Sequence, residues 1–377
     1  MTLDLFCRVV DNYGDIGVCW RLARQLVLEH GVAVRLWVDD LASFRRICAA
    51  VDAAADEQLL QGVSVRRWRE DIAVPAQGVA DAVIEAFGCA LPQAWLDAMA
   101  ARPRPPAWIN LEYLSAEDWV AGCHGLPSPH PQLPLTKYFF FPGFDAGSGG
   151  LPAEAGLEQR RAAFAADPRQ KADFLAGLGM RPAPDERLIS LFCYSDAPVA
   201  ALLDALRDEA RPSLVLVPEG VASAALAAWA GLLPAPGDII RRGSLRLQIV
   251  PFLDQPGYDR LLWSCELNIV RGEDSMVRAQ WAQKPFIWHI YPQEEAAHRI
   301  KLDAFLARFS DGMAPDAADA CRAGWHAWNG DGALRAAWPA FRDALPALQA
   351  HMPGWCGRLR EAGDLAGNLL AFIHRVG

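Results

Sequence analysis

Short apolar runs alternate with amphipathic stretches along this chain, and the alternation starts twice. Residues 3–10 (LDLFCRVV) have the nearly continuous apolar pattern of a strand buried on both faces. A polar loop at 11–17 (DNYGDIG) leads into 18–29, whose apolar positions recur with helical spacing. Strand-like runs follow at 32–38, 63–68, 81–87 and 108–112, with helical patterns at 41–49 and 91–100. The aromatic run at 138–141 (YFFF) reads as core or domain interface, and the glycine-rich 145–152 (DAGSGGLP) as a linker. After a helix-prone 156–178, strands are expected at 188–194, 213–217, 245–251, 266–270 and 285–290, again separated by helical patterns. The remainder, 301–377, reads as helices rich in alanine and tryptophan. Such alternation predicts mostly parallel sheets with helices on both faces.

Two α/β units of similar size predict the GT-B architecture, two Rossmann-like domains facing across a cleft. The expected division is 1–150 as an N-terminal acceptor-side domain and 151–356 as a C-terminal nucleotide-sugar-binding domain. A last helix, about 357–377, is expected to pack back on the first domain. A length of 377 residues leaves ample core for both.

Composition narrows the partners. A formal charge of -9 argues against nucleic acid, whose phosphates select basic surfaces. The nine cysteines are odd in number, scattered and never in a C-x-x-C pair, which suits reduced thiols better than a disulfide framework or a zinc site. The N-terminus has no basic n-region, and no apolar run reaches membrane-spanning length. The expectation is a soluble, cytoplasmic protein with neither nucleic acid nor membrane as partner.

Candidate chemistry lies at the strand ends. Past the run at 266–270 come Arg271, Gly272, Glu273, Asp274 and Ser275, a turn opening a helix. A helix N-terminus there presents free N–H groups and partial positive charge, and Arg271 adds a planar cation, so a nucleotide diphosphate is the expected occupant. Tyr194, Phe252 and Gln255 follow other strands of the same half. An aromatic ring could stack on a base and Gln255 could read its edge; equally, the rings could be core and Gln255 a helix cap.

The first loop is different. Gly14 and Gly17 do not make a G-x-G-x-x-G fingerprint, and Asp11 and Asp15 would repel a pyrophosphate. Carboxylates at this edge suit base chemistry or hydroxyl binding, unless Asp15 merely caps the helix and Asp11 holds the turn. His289 lies in an apolar run and reads as a core or rim histidine. No metal-ligand spacing and no G-x-S-x-G occur in the sequence.

Together, the loop at 11–17 and the Arg271-Gly272-Glu273-Asp274-Ser275 motif resemble the EarP family of bacterial protein-arginine rhamnosyltransferases, which modify translation elongation factor P. The resemblance runs along nearly the whole chain, including the tryptophan-rich 277–295. It implies a GT-B fold, a dTDP-β-L-rhamnose donor, an arginine acceptor on elongation factor P and inversion at the anomeric carbon, with no metal. By the same resemblance Asp15 would be the general base, Asp11 its supporting carboxylate and Glu273 an essential residue. Arg271, Asp274 and Ser275 would bind the donor, with Tyr194, Phe252 and Gln255 near the nucleotide. The rival readings are a GT-B enzyme with a small-molecule or lipid-sugar acceptor, and a sugar-nucleotide-binding regulator without turnover.

Overall fold

The computed structural model describes every residue except Asn12, Glu70, Glu294 and Glu295. Asn12 of the first loop and the last two residues of the 277–295 segment therefore lie outside the described residues.

In chain order the elements are β1 (Thr2–Cys7), α1 (Gly14–His30), β2 (Ala33–Val38), α2 (Leu41–Ile47), β3 (Glu57–Leu60), β4 (Val63–Arg67), β5 (Ala82–Ala86), α3 (Gln93–Ala100), β6 (Ala107–Leu111), α4 (Val120–Cys123), β7 (Pro127–Pro129) and β8 (Thr136–Phe140). There follow α5 (Leu157–Ala166), α6 (Pro168–Gly177), β9 (Arg187–Leu191), α7 (Val199–Arg207), β10 (Ser213–Pro218), α8 (Ser223–Ala230), β11 (Ile239–Arg242) and β12 (Leu245–Val250). The chain ends with α9 (Gln255–Ser264), β13 (Leu267–Arg271), α10 (Glu273–Trp281), β14 (Phe286–His289), α11 (Ala297–Phe309), α12 (Pro315–Trp328), α13 (Leu334–Glu361) and α14 (Leu365–Val376).

These elements form two compact units: Met1–Ala155 with Gly357–Gly377, and Gly156–Cys356. The first carries the sheet β3-β4-β2-β1-β5-β6-β8-β7 and the second β11-β12-β10-β9-β13-β14. Inner strands pair in parallel. The edge strands β3, β7 and β11 pair antiparallel. The central strands β5, β6 and β9 are buried throughout, which accounts for their mostly apolar sequences; the polar residues they carry, Glu85, Asn110, Arg187 and Ser190, are buried with them. Strands β3, β7 and β11 carry no such signal because each is an exposed edge with half-polar sequence.

Both sheets have a point where the chain reverses its direction of travel across the sheet. In the first, the strands run outward from β1 through β2 to β4, then return to the other side of β1 at β5. In the second, they run from β9 through β10 to β12 and return beside β9 at β13. Parallel sheets leave a crevice at the carboxyl ends of such neighbours, because the two connections depart to opposite faces.

Packing holds each point rigid. Beneath the first lies an aromatic cluster in which the Phe6 ring meets Trp37, Trp68 and Trp95 at centroid distances of 5.7, 5.3 and 5.2 Å. Asp4, inside β1, is fully buried and fully engaged: Arg35 holds it with two bonds of 2.6 Å, and Trp37 Nε1 and the Ala80 amide donate to it. Helix α14 belongs to the first unit, where Phe372 packs edge-on against Phe140 and Tyr138.

The glycine-rich 145–152 is packed structure and not a linker. Gly149 N–H donates to Phe141 O at 2.7 Å, and a Cβ on Gly149 would collide with the Phe140 ring. Helix α13 contains Pro339, Pro346 and Pro353. All three are exposed, so the carbonyls they leave without an amide donor face water, while Trp338, Phe341, Met352 and Trp355 line the buried side.

Candidate active site

At the first reversal point, α1 begins at Gly14, four residues before the apolar helical pattern. Asp15 therefore stands in the first turn of the helix and not in the loop. The helix is capped at Tyr13 without a side-chain bond, so Asp15 does not act as its N-cap. Asp15 instead reaches back: its Oδ2 accepts from the amides of Val10 and Asp11 at 2.7 and 2.8 Å. A Cβ on Gly14 would come within 2.8 Å of Asp11 Oδ2, so a larger residue there would displace the Asp11 carboxylate. Asp11 and Asp15 are thus brought together, one half-buried and one buried.

Burial raises the Asp15 carboxyl above its ordinary value, the two amide donors and the Tyr113 hydroxyl oppose that, and the neighbouring Asp11 charge adds to it. The outcome is an ionisable group more basic than a surface aspartate. The sequence reading missed the residues beside it. Phe87 and Tyr113 leave the ends of β5 and β6 as a stacked pair, and Glu112, accepting from Asn110 Nδ2, stands next to Tyr113. Isolated aromatics after a strand carry no local signature; only the sheet order, β1-β5-β6, brings them together on the β1 side that bears Asp15.

At the second reversal point the chain leaves β13 through Gly272 at φ 64° and ψ -171°, a region open almost only to glycine. Helix α10 starts at Glu273. Gly272 is its cap and lends no side chain to the first amides of α10. Trp288 Nε1 donates to Gly272 O at 3.0 Å and holds the turn in place. Glu273 and Asp274 are half-buried in the first turn, and Ser275 is buried.

Arg271 lies over two rings, its guanidinium carbon 4.7 Å from the centroids of both Phe192 and Tyr194. Phe252 joins through Phe192, 6.4 Å away and edge-on, and Tyr258 through the same ring at 5.9 Å. Tyr194, Phe252 and Arg271 are thus brought into one aromatic shelf, with Phe192 as the linking ring that the sequence reading left inside a strand. Gln255 is buried at the first position of α9, and the cap of that helix is Asp254, whose side chain accepts from Gly257 N–H at 2.8 Å. Capping is therefore not the role of Gln255.

Two further groups support the shelf. His289 is buried with Nδ1 accepting from the Tyr194 amide at 3.2 Å, while Nε2 lies 3.6 Å from Asp196 Oδ1. Burial pulls its pKa down to about 4, with Arg271 acting in the same direction and Asp196 against it, so the ring is neutral near pH 7. Arg278 and Asp259 form a buried two-bond pair at 2.9 and 2.6 Å that locks α9 to α10. Their separation of nineteen residues gave no motif to read. Among the described residues there is no group of three or more His, Cys, Asp or Glu that could hold a metal ion.

Two α/β domains, one with a buried carboxylate and the other with an arginine and a helix N-terminus at its switch point, define a glycosyltransferase of the GT-B type. The chain belongs to the EarP family: the model of the elongation factor P (EF-P) rhamnosyltransferase EarP matches residues 3–374. It is 52% identical over 376 residues to a protein-arginine rhamnosyltransferase of Pseudomonas putida, covering 98% of each chain. It is likewise 52% identical over 370 residues to that of Pseudomonas aeruginosa, again covering 98% of each. A solved structure addressing EarP-mediated arginine glycosylation of translation elongation factor EF-P superposes with a TM-score of 0.70 at 39% identity, over 99% of both chains.

Proposed function

We propose that this protein transfers L-rhamnose from dTDP-β-L-rhamnose to an arginine side chain of translation elongation factor P, with inversion, in the cytoplasm. The observation that carries this reading is family membership across residues 3–374, which takes in both switch points. Among the described residues no helix is long and apolar enough to cross a membrane, which is compatible with a cytoplasmic acceptor.

The N-terminal domain handles the acceptor. A guanidinium is protonated at neutral pH and a poor nucleophile. Asp15 holds it through a charge-assisted hydrogen bond and accepts a proton as the C–N bond forms. The raised basicity of the buried carboxylate favours that step, and the Val10 and Asp11 amides keep it in one orientation. Asp11 supports it from the loop.

The C-terminal domain handles the donor. The diphosphate gains negative charge as the glycosidic bond breaks, and Arg271 with the first N–H groups of α10 stabilises it without a metal. Tyr194 and Phe252 supply ring surface for the thymine, with Gln255 and Ser275 as polar contacts. Glu273 and Asp274 have the wrong sign to touch the diphosphate and act on sugar hydroxyls or on the orientation of Arg271.

Incubating elongation factor P with this protein and dTDP-L-rhamnose should raise its intact mass by one deoxyhexose, lost when the acceptor arginine is replaced. Turnover of the donor with an unmodified protein would point to a small-molecule acceptor, and binding without turnover to a regulator.

A further inference from the structure

The first switch point holds two aromatic side chains that the chemistry above leaves unused. Phe87 leaves the end of β5 at φ 59°, a left-handed conformation that a bulky residue keeps only when its surroundings impose it. Its N–H donates to Leu111 O at 2.7 Å, so the neighbouring strand fixes the turn. The ring stacks on Tyr113, with centroids 4.6 Å apart and planes at 21°. Tyr113 follows β6, the next strand across, and its hydroxyl hydrogen-bonds the Asp15 side chain. Both rings are half-buried, so the pair keeps an open surface beside a buried carboxylate.

We infer that Tyr113 is a positioning residue for Asp15, and that the Phe87–Tyr113 stack is the wall against which the acceptor guanidinium lies flat. The inference rests on the reading of Asp15 as the base. A guanidinium is planar, permanently charged and weakly hydrated, which suits an aromatic face better than it suits water. Pressed against that wall, it presents its N–H edge to a carboxylate at the border of the rings. One carboxylate oxygen is committed to the Val10 and Asp11 amides, and the phenol restrains the rest of the group. A lysine ammonium has no plane to lay on the rings, so the wall also favours arginine as acceptor.

The groups facing Asp15 allow the hydroxyl to be tested alone. Asp11 approaches from the loop, Cys7 from β1 and Cys19 from α1, with Asp39 beyond Cys7. Burial raises both thiols, so neither ionises where the carboxylate titrates. Removing the phenol oxygen changes no charge.

The experiment measures kcat, KM for elongation factor P, the pH profile of kcat/KM and the dTDP dissociation constant for Tyr113→Phe, Phe87→Leu, Phe87→Trp and Asp15→Asn. Tyr113→Phe keeps the stack and loses the donor to the ionised carboxylate. Its acid limb should therefore move to higher pH, with kcat about tenfold lower and dTDP affinity unchanged. Phe87→Leu should raise KM for the protein acceptor about three- to thirtyfold, and Phe87→Trp should restore most of it. Should Phe87→Leu fold poorly, the tryptophan variant and Tyr113→Phe still decide. A wild-type pH profile in Tyr113→Phe, or a KM indifferent to the ring at 87, overturns the inference. Full transfer by Asp15→Asn overturns instead the assignment of the base on which it rests.

Discussion

The two switch points occupy equivalent places in their sheets and carry opposite chemistry. At β1 and β5 the crevice holds Asp11, a buried Asp15 and a pair of rings; at β9 and β13 it holds Arg271 over Phe192 and Tyr194 and the N-terminus of α10. The backbone plan is shared. What differs is the first helical turn: α1 uses its opening turn to bury an acid that ties down the loop, whereas α10 is capped by a bare glycine and opens with half-buried Glu273 and Asp274. The shared topology puts a crevice in each sheet, and a handful of side chains gives the two crevices opposite charge.

Replacing Asp15 tests the sharpest side of that contrast. Asp15→Asn should lower transfer by about a thousandfold, within the usual range for losing a general base. Donor affinity should stay within a few-fold, because Asp15 belongs to the first unit and Arg271 to the second. Calorimetry with dTDP showing affinity lost along with activity would place Asp15 in the wrong half of the reaction. Its folded-state pKa is raised, so ionised Asp15 opposes folding as the pH rises through that value. At neutral pH the asparagine variant should therefore melt no lower than wild type. Transfer by the wild type should fall as acid protonates this carboxyl, while His289, already neutral, adds no second limb above about pH 5.

Arg271 is the counterpart in the second domain. Arg271→Ala should weaken dTDP binding roughly ten- to a hundredfold, the worth of a charge-assisted bond, and Arg271→Lys should recover only part because it lacks the planar fork. The loss in kcat/KM should exceed the loss in affinity, since charge on the leaving group grows toward the transition state. If both variants lower Tm and leave the dissociation constant unchanged, Arg271 shapes the turn and does not bind the donor.

A smaller effect should follow at His289. His289→Leu removes the acceptor for the Tyr194 amide and should cost about three- to tenfold in dTDP affinity, by the modest worth of one hydrogen bond. His289→Asn offers an oxygen near the Nδ1 position and should restore most of it. Equal losses in the two variants would assign His289 to packing alone. The smallest effect is expected from metal removal: transfer in excess chelator should match the untreated rate, and a strict magnesium requirement would end the account of Arg271 and α10 as sufficient for the diphosphate.

Much of this was legible before folding. Strands such as β1 and β9 are mostly apolar runs because both faces are buried, and the 271–275 turn reads as strand, glycine, acidic helix start in any context. The GT-B plan followed from counting two such alternations, and the family from two motifs. The edge strands, the start of α1 four residues early and the packed 145–152 stretch were not legible. Each depends on neighbours distant in sequence: Gly149, for instance, is glycine because Phe140 lies against it.

The sequence by itself determined the alternating elements, the two-domain class and the polar residues at the strand ends, since these are periodic or local properties of the chain. Only the tertiary structure decided which strand ends become neighbours. It set β5 beside β1 and β6 beside β5, bringing Phe87 and Tyr113 to Asp15, and β13 beside β9, bringing Arg271 to Tyr194 and His289 behind it. The reason is that parallel pairing joins segments separated by whole helices, so its partners are selected by burial and hydrogen-bond satisfaction across the finished sheet and leave no mark on the local pattern.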